Sequence, residues 1–360
     1  MRSEAKSNGV PGCTLTAWYR CNLRTLAREG RMTVTIGRRE LLTALGGAAA
    51  WPLAARAQQS ALPVIGYLSA AAAGGDDRLI TALRQGLKEG GYVQGQNIEV
   101  LFHYAENQFG RLPSLASDLV QRRVAVIVAA GTAPALVAKG ATTTIPIVFQ
   151  ASYDPVAIGL VASLGRPGGN ITGASMVAEA YYAKGIELLH ELLPQASAIA
   201  FLTNPTNPTA DLGIRETESA ARSLGLSLRV LNASDPGQIE QAFAAVARER
   251  SGGMLVSSDR LFSNQRDQFA ALAIRYRVPC IYMRRDWVEA GGLISYGARS
   301  FEALGIVGNY VARILKGEQP GDLPVQLATR IELTINRKTA KAIGIEVPTS
   351  ILLRADEVIE

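Results

Sequence analysis

Two segments of the chain, LPSLASDLVQRRVAVIVAAGT at 112–132 and IEQAFAAVARERSGGMLVSSD at 239–259, follow one plan. Each runs from apolar residues at helical spacing, through a basic end, into a short apolar strand that exits on small polar residues. The same alternation fills the text around them. PVIGYLSA (63–70) reads as a buried strand, and 77–89 places Leu79, Ile80, Leu83 and Leu87 on one helical face. NIEVLFHY precedes a helix over 112–122, VAVIVAAGT precedes APALVAKGA, and IPIVFQAS precedes a helix expected in DPVAIGLVASL. A second series opens at ASAIAFLTNPTNP (196–208) with a helix over 210–224, then LSLRVLNA with a helix over 239–248, GGMLVSSD with one over 265–276, and VPCIYM and GGLISYG. Strands that alternate with helices must lie parallel, because each crossover returns the chain to the same sheet edge. The expectation is therefore an α/β protein of two lobes, each a doubly wound parallel sheet, which also suits a length beyond one ordinary core.

The expected boundaries are 1–57 for a removable leader, 58–175 for the first lobe, 176–295 for the second, and 296–360 for a segment contributing to both. RPGGNITGASM (166–176) is the hinge candidate, since Pro-Gly-Gly-Asn punctuates there. A long helix over 301–316 and the strand and short helix in PVQLATRIELTINRKTAKAIGI have no counterpart in the second series, as expected of a chain that recrosses.

The leader is read from GRRELLTALGGAAAWPLAARAQQ. Arg38 and Arg39, the apolar stretch from Leu41 to Leu53, and Ala55-Arg56-Ala57 are the positive start, short apolar middle and small-residue cut site of an export signal. Paired arginines suggest the twin-arginine route, although Leu41 and Thr43 depart from its usual pattern. Residues 1–31 have no apolar period and precede Met32, an alternative start. Loss of 1–57 would change 37 basic against 31 acidic residues into 28 against 28, so the net charge of +6 belongs to the leader and gives no support for nucleic-acid binding. Of three cysteines only Cys280 would remain, which excludes an internal disulfide and a cysteine metal site. The expectation is a soluble periplasmic monomer without cofactor or metal.

In open parallel sheets ligands sit beyond the carboxyl ends of the strands, where loops lead into helix N-termini. Those exits carry Ser69, Gly131-Thr132 and Ser152-Tyr153-Asp154 in the first half, and Asn204, Ser258-Asp259 and Tyr296 in the second. Free N–H groups with hydroxyls beside them favour an anion such as a carboxylate. The competing reading is that Ser, Thr, Asn and Asp only cap helices, and Asp154 before Pro155 is the plainest such cap. Tyr153, Phe262, Tyr282, Trp287 and Tyr296 also lie at or near exits and offer an aromatic wall for a small molecule, against the reading that they are core.

Catalysis finds little support. His103 and His190 adjoin no nucleophile, Cys280 reads as a buried small hydrophobe, GRPGGN lacks the order of a phosphate loop, and no G-x-S-x-G occurs. A hydrolase using Asp154 and Asp259 stays open at this point, as does a sensor that presents its closed state to a receptor. A DNA-bound regulator is disfavoured because no helix-turn-helix precedes the first strand.

The leader, PVIGYLSA, DPVAIGLVASLGRPGGNITG, LTNPTNP and IELTINRKTAKAIGIEVPTSILLRADEVIE together resemble the substrate-binding proteins of ABC transporters, in the group that includes tryptophan-type binding proteins. The resemblance covers the chain from about Arg38 onward. It implies a type I periplasmic binding fold, two lobes joined by three crossovers that close on a solute without chemistry, with a membrane permease and ATPase as partners. Some members are similar to aromatic or other amino-acid binders. Carried over by position, it assigns ligand contacts to Ser69, Gly131, Thr132, Ser152, Tyr153 and Asp154 from one lobe, and to Asn204, Ser258, Asp259, Tyr282 and Tyr296 from the other. For an amino acid, Thr132 and Ser152 would take the carboxylate and Asp259 or Asp154 the ammonium. Arg284 or Arg285 in the cleft would instead favour a second acidic group.

Overall fold

The computed structural model describes residues 62–360 apart from 177, 250, 299 and 329. The expected export leader and the expected cut site after Ala57 lie outside the described residues. The first series builds β1 (Val64–Ser69), α1 (Asp77–Glu89), β2 (Glu99–Tyr104), α2 (Leu112–Gln121), β3 (Val126–Ala130), α3 (Thr132–Ala141), β4 (Ile147–Ala151) and β5 (Ile171–Ser175). The second builds α4 (Ala178–Leu192), β6 (Ala198–Thr203), α5 (Ala210–Ser223), β7 (Ser227–Asn232), α6 (Pro236–Glu249) and β8 (Met254–Val256). It continues with α7 (Arg260–Asn264), α8 (Arg266–Tyr276), β9 (Cys280–Tyr282), α9 (Arg285–Glu289) and β10 (Ile294–Ala298). The last part supplies α10 (Ser300–Leu315), β11 (Gln326–Leu327), β12 (Ile331–Asn336), α11 (Arg337–Ile343), α12 (Thr349–Leu352) and β13 (Glu357–Ile359).

These strands form two sheets, β11-β5-β4-β3-β1-β2 and β13-β12-β10-β9-β8-β6-β7. Lobe one therefore reads β2-β1-β3-β4-β5 and lobe two β7-β6-β8-β9-β10, the same order twice. Every pairing among those ten strands is parallel, and β10 with β12 is the one antiparallel pair between named strands. Central strands such as β3 and β8 are buried at every residue, as expected where helices cover both faces. The order reverses between β1 and β3, and between β6 and β8. That is where a doubly wound sheet leaves a crevice at its carboxyl edge.

The chain passes between lobes three times: after β5, between β10 and α10, and between β11 and β12. α10 returns to lobe one and packs on α1 so closely that a Cβ on Gly86 would lie 2.1 Å from the Gly305 carbonyl oxygen, and one on Gly308 2.4 Å from that of Leu83. Glycine at these points lets the two backbones touch.

One sequence expectation is corrected. The helix expected in DPVAIGLVASL does not form; Pro155 O accepts from both Leu160 N (2.8 Å) and Val161 N (3.1 Å), closing a wide turn that Gly159 permits with φ +70. Within the hinge candidate at 166–176, the Pro-Gly-Gly turn at 167–169 feeds the start of β5, and the chain leaves lobe one at the far end of that strand, beside Met176.

Candidate ligand-binding cleft

β3 ends on Gly131, whose φ of +122 turns the chain at once into α3. The turn places the first N–H groups of α3 at the sheet edge, where no preceding residue can pair them. Thr132 is 6% exposed, and its Oγ1 accepts the Ser152 N–H at 3.0 Å, which fixes the hydroxyl and leaves its proton for a partner. Gln150, the last but one residue of β4, is buried beside them.

Opposite, lobe two brings a formal charge. The tandem NPT repeat in LTNPTNPTA forms two like turns. Asn204 Oδ1 accepts from Thr206 N and Oγ1 at 3.1 and 2.8 Å, and Asn207 Oδ1 from Thr209 N and Oγ1 at 3.0 and 2.8 Å. With their oxygens so engaged, both amide nitrogens are free to donate to one carboxylate. Asn204 Nδ2 reaches Asp259 Oδ1 at 3.3 Å and Asn207 Nδ2 reaches Oδ2 at 2.8 Å. Asp259 Oδ1 also caps α7 by accepting Leu261 N at 2.8 Å. Burial raises the Asp259 carboxyl above its usual range, although the Asn207 and Asn204 amides, the Leu261 N–H and the Arg260 charge all pull it down.

Thr132, Gln150, Asn207 and Asp259 border one interlobe cavity. Gly131, Thr132, Gln150, Ser152 and Tyr153 line it from lobe one, with Leu79, Phe109 and Pro134 as apolar wall. Asn207, Thr209, Ser258, Asp259, Arg260, Ser263 and Arg284 line it from lobe two, and Met176 stands at the first crossover. The lobes also touch directly. Arg260 Nη1 lies 3.1 Å from Asp76 Oδ1, Asn264 Nδ2 donates to Asn107 Oδ1 at 3.4 Å, and exposed Arg78 meets Glu289 at 3.1 Å. Leu79 and Arg284 also border a second space, which Asp76 lines as well.

Of the residues expected at the site, Gly131, Thr132, Ser152, Tyr153, Ser258 and Asp259 are brought together on this cavity. The others are placed elsewhere. Ser69 is fully buried and donates to Asp76 Oδ2 at 2.5 Å, behind the lining. Asn204 is 1% exposed and holds Asp259 from the rear. Asp154 caps its own turn, accepting Val156 N at 2.8 Å. Tyr282 is packed in the core of lobe two, stacked on Trp287 at 4.6 Å and edge-on to Phe269, and its hydroxyl has no hydrogen-bond partner. Phe262 is buried in the same aromatic cluster, so Phe262, Tyr282 and Trp287 of the expected aromatic wall are lobe-two core, while Tyr153 lines the cavity. Tyr296 packs edge-to-face on Tyr181 at 6.2 Å. Arg284 does reach the cleft, with Nε and Nη2 tied to Asp286 at 3.0 and 2.5 Å; Arg285 is turned away to Glu289 and Glu357.

Reading the sequence missed Asn207, Arg260, Phe109 and Gln150. Only Asn207 carried a signal, as the second copy of the NPT turn. Among the described residues, no His, Cys or Lys lines the cavity. Cys280 is buried in β9, where desolvation pushes its thiol up to about 12, and His103 pairs with Asp118 at 2.7 Å outside the cleft lining.

Two lobes of like order, three crossovers and a polar cleft between them define a type I periplasmic binding protein fold. Residues 72–359 match the ABC transporter substrate binding protein family, and the chain belongs to it. Members bind small ligands and perform no catalysis. A curated relative, the tyrosine-binding protein of Clostridioides difficile (strain R20291), is 29% identical over 261 residues, spanning 72% of this chain and 74% of that protein. The ABC domain from Streptococcus pneumonia solved in complex with L-Trp is 24% identical, covering 83% of this chain and all of that one, with a TM-score of 0.74. A ligand-free, open structure of a substrate binding protein with adhesive properties from Clostridium difficile is 26% identical, covering 82% and 99%, with a TM-score of 0.58. Among the described residues, no helix is long and apolar enough to cross a membrane.

Proposed function

We propose that this chain is the periplasmic solute-binding component of an ABC importer, that it takes an α-amino acid or a closely related small carboxylate between its lobes, and that the lobes close on it. Asp259 carries the reading. Its carboxylate is buried and held at both oxygens by neutral donors, it forms no ion pair among the described residues, and it faces a cavity whose other wall is the N-terminus of α3 with the Thr132 hydroxyl. A zwitterion supplies what each wall lacks. Its ammonium neutralises Asp259, and its carboxylate meets the N–H dipoles and hydroxyl at Thr132. Asp154, capping its own turn off the cavity, is the weaker ammonium partner of the two.

Closure is supported by the contacts across the cleft, Arg260 with Asp76 and Asn264 with Asn107. The tyrosine-binding relative supports an amino acid as the solute. Export to the periplasm rests on the Arg38-Arg39 leader, and the permease and ATPase on the family.

Thermal denaturation with a panel of amino acids and small carboxylates tests the reading. One ligand class should raise the melting temperature, with stabilisation of about 2.7 kcal/mol at a hundred times its dissociation constant. A panel in which nothing moves the transition refutes it.

A further inference from the structure

The interlobe ion pair joins two groups with different surroundings. Asp76 precedes α1 in lobe one and is 1% exposed; its Oδ2 accepts the Tyr67 hydroxyl at 2.9 Å and the Ser69 hydroxyl at 2.5 Å. Both donors stand on β1, so Asp76 is fixed to the lobe-one sheet. Its Oδ1 accepts no hydrogen bond and has one charged neighbour, Arg260 Nη1 at 3.1 Å. Arg260 opens α7, next in sequence to the Asp259 cap, and is anchored to lobe two. It lines the ligand cavity, and Asp76 is its one ion-pair partner among the described residues. A guanidinium has five N–H donors in a rigid fork, so most of this one remains unused. The remaining polar bridges between lobes are weaker: Arg78 and Glu289 are exposed, and the Asn264–Asn107 contact is long.

We propose that Arg260 couples recognition of the ligand carboxylate to lobe closure, engaging Asp76 with one nitrogen and the carboxylate with the others. The inference rests on the amino-acid reading given above and adds which lobe-two residue reads the acid group and why closure follows. In the open state Asp76 and Arg260 are apart. A ligand carboxylate seated at the α3 N-terminus draws the guanidinium across the cleft, and Asp76 then receives it. Asp76 lines the neighbouring second space and not the cavity with Asp259 and Thr132, and it acts as a positioning residue.

The test uses wild-type protein, Arg260→Gln and Asp76→Asn. Calorimetry with the twenty protein amino acids selects the tightest binder, and that compound and the amine left by removing its carboxylate are the two probes. Arg260→Gln should weaken the amino acid at least about tenfold, the scale of a charged hydrogen bond, while changing the amine less than about twofold. Asp76→Asn should weaken the amino acid and leave the saturated protein with a larger radius of gyration by small-angle scattering than saturated wild type. Arg260→Lys, which keeps the charge without the fork, should fall between wild type and Gln, and it serves as the test should Gln not fold. Equal losses for acid and amine, or wild-type affinity and compaction in Asp76→Asn, overturn the coupling alone. If no amino acid binds wild type, the amino-acid reading fails and takes this inference with it.

Discussion

Lobes one and two share a strand order yet present unlike chemistry to the cavity between them. Lobe one offers a helix N-terminus, hydroxyls and an amide, whereas lobe two offers Asp259, Arg260 and Arg284. Their interiors differ too. Lobe one packs Tyr67, Phe102 and Tyr104 at its β1–β2 edge around strands such as the aliphatic β3, whereas one core of lobe two centres on a larger aromatic cluster of Phe243, Phe262, Phe269, Tyr282 and Trp287. Repetition of a topology thus preserves where a ligand can sit and leaves open what greets it. A neutral, dipolar wall facing a charged one reads the orientation of a zwitterion, which two like walls would not.

The sharpest way to break this comparison is Asp259→Asn. Asparagine retains an oxygen to cap α7, so the fold should survive, while loss of a cavity charge that forms no ion pair among the described residues should cost about 2–5 kcal/mol of binding. Acid should do the same reversibly. The ligand ammonium selects the ionised carboxylate, so affinity is full where Asp259 is ionised and falls about tenfold per pH unit below its carboxyl value. Because burial raises that value, the loss should begin at higher pH than for an exposed aspartate. Titration calorimetry across pH checks both, and wild-type affinity in Asp259→Asn would place the ammonium elsewhere. On the neutral wall the effect should be smaller: Thr132→Val should cost about 1 kcal/mol, with Thr132→Ser close to wild type. Smallest of all is Tyr282→Phe. Removing a buried hydroxyl that has no partner should leave affinity unchanged and stability equal or slightly raised by thermal denaturation. A binding defect there would return Tyr282 to the cleft.

Much of the scaffold was legible because helical and strand periods differ and each recurs at regular distances. The 77–89 helix matches α1 residue for residue. The wide turn at 154–164 was not, since Ile158, Leu160 and Val161 mimic a helical face although Gly159 bends the chain. Short α7 and α9 fall below the length at which periodicity can be seen. In the cleft, Thr132, Ser152 and Asp259 were legible as polar exits of apolar strands. Tyr282 misled because β9 has only three residues, which leaves strand end and lobe core a few ångströms apart. Asp76 and Arg260 were invisible for a different reason. Each alone looks like a solvated charge near a helix start, and only the meeting of residues far apart in sequence makes them a pair.

The contact of α1 with α10 also bears on how the molecule comes into being. The apolar side of α1 is synthesised early, but the glycine-lined helix that covers it arrives only after β6 to β10 of lobe two. A nascent lobe one is therefore an incomplete body, with a sticky flank left bare until almost the end of translation. Truncation after β10 should yield not a half-sized binder but a chain that aggregates or is degraded, so biogenesis imposes a single, late commitment on the entire polypeptide.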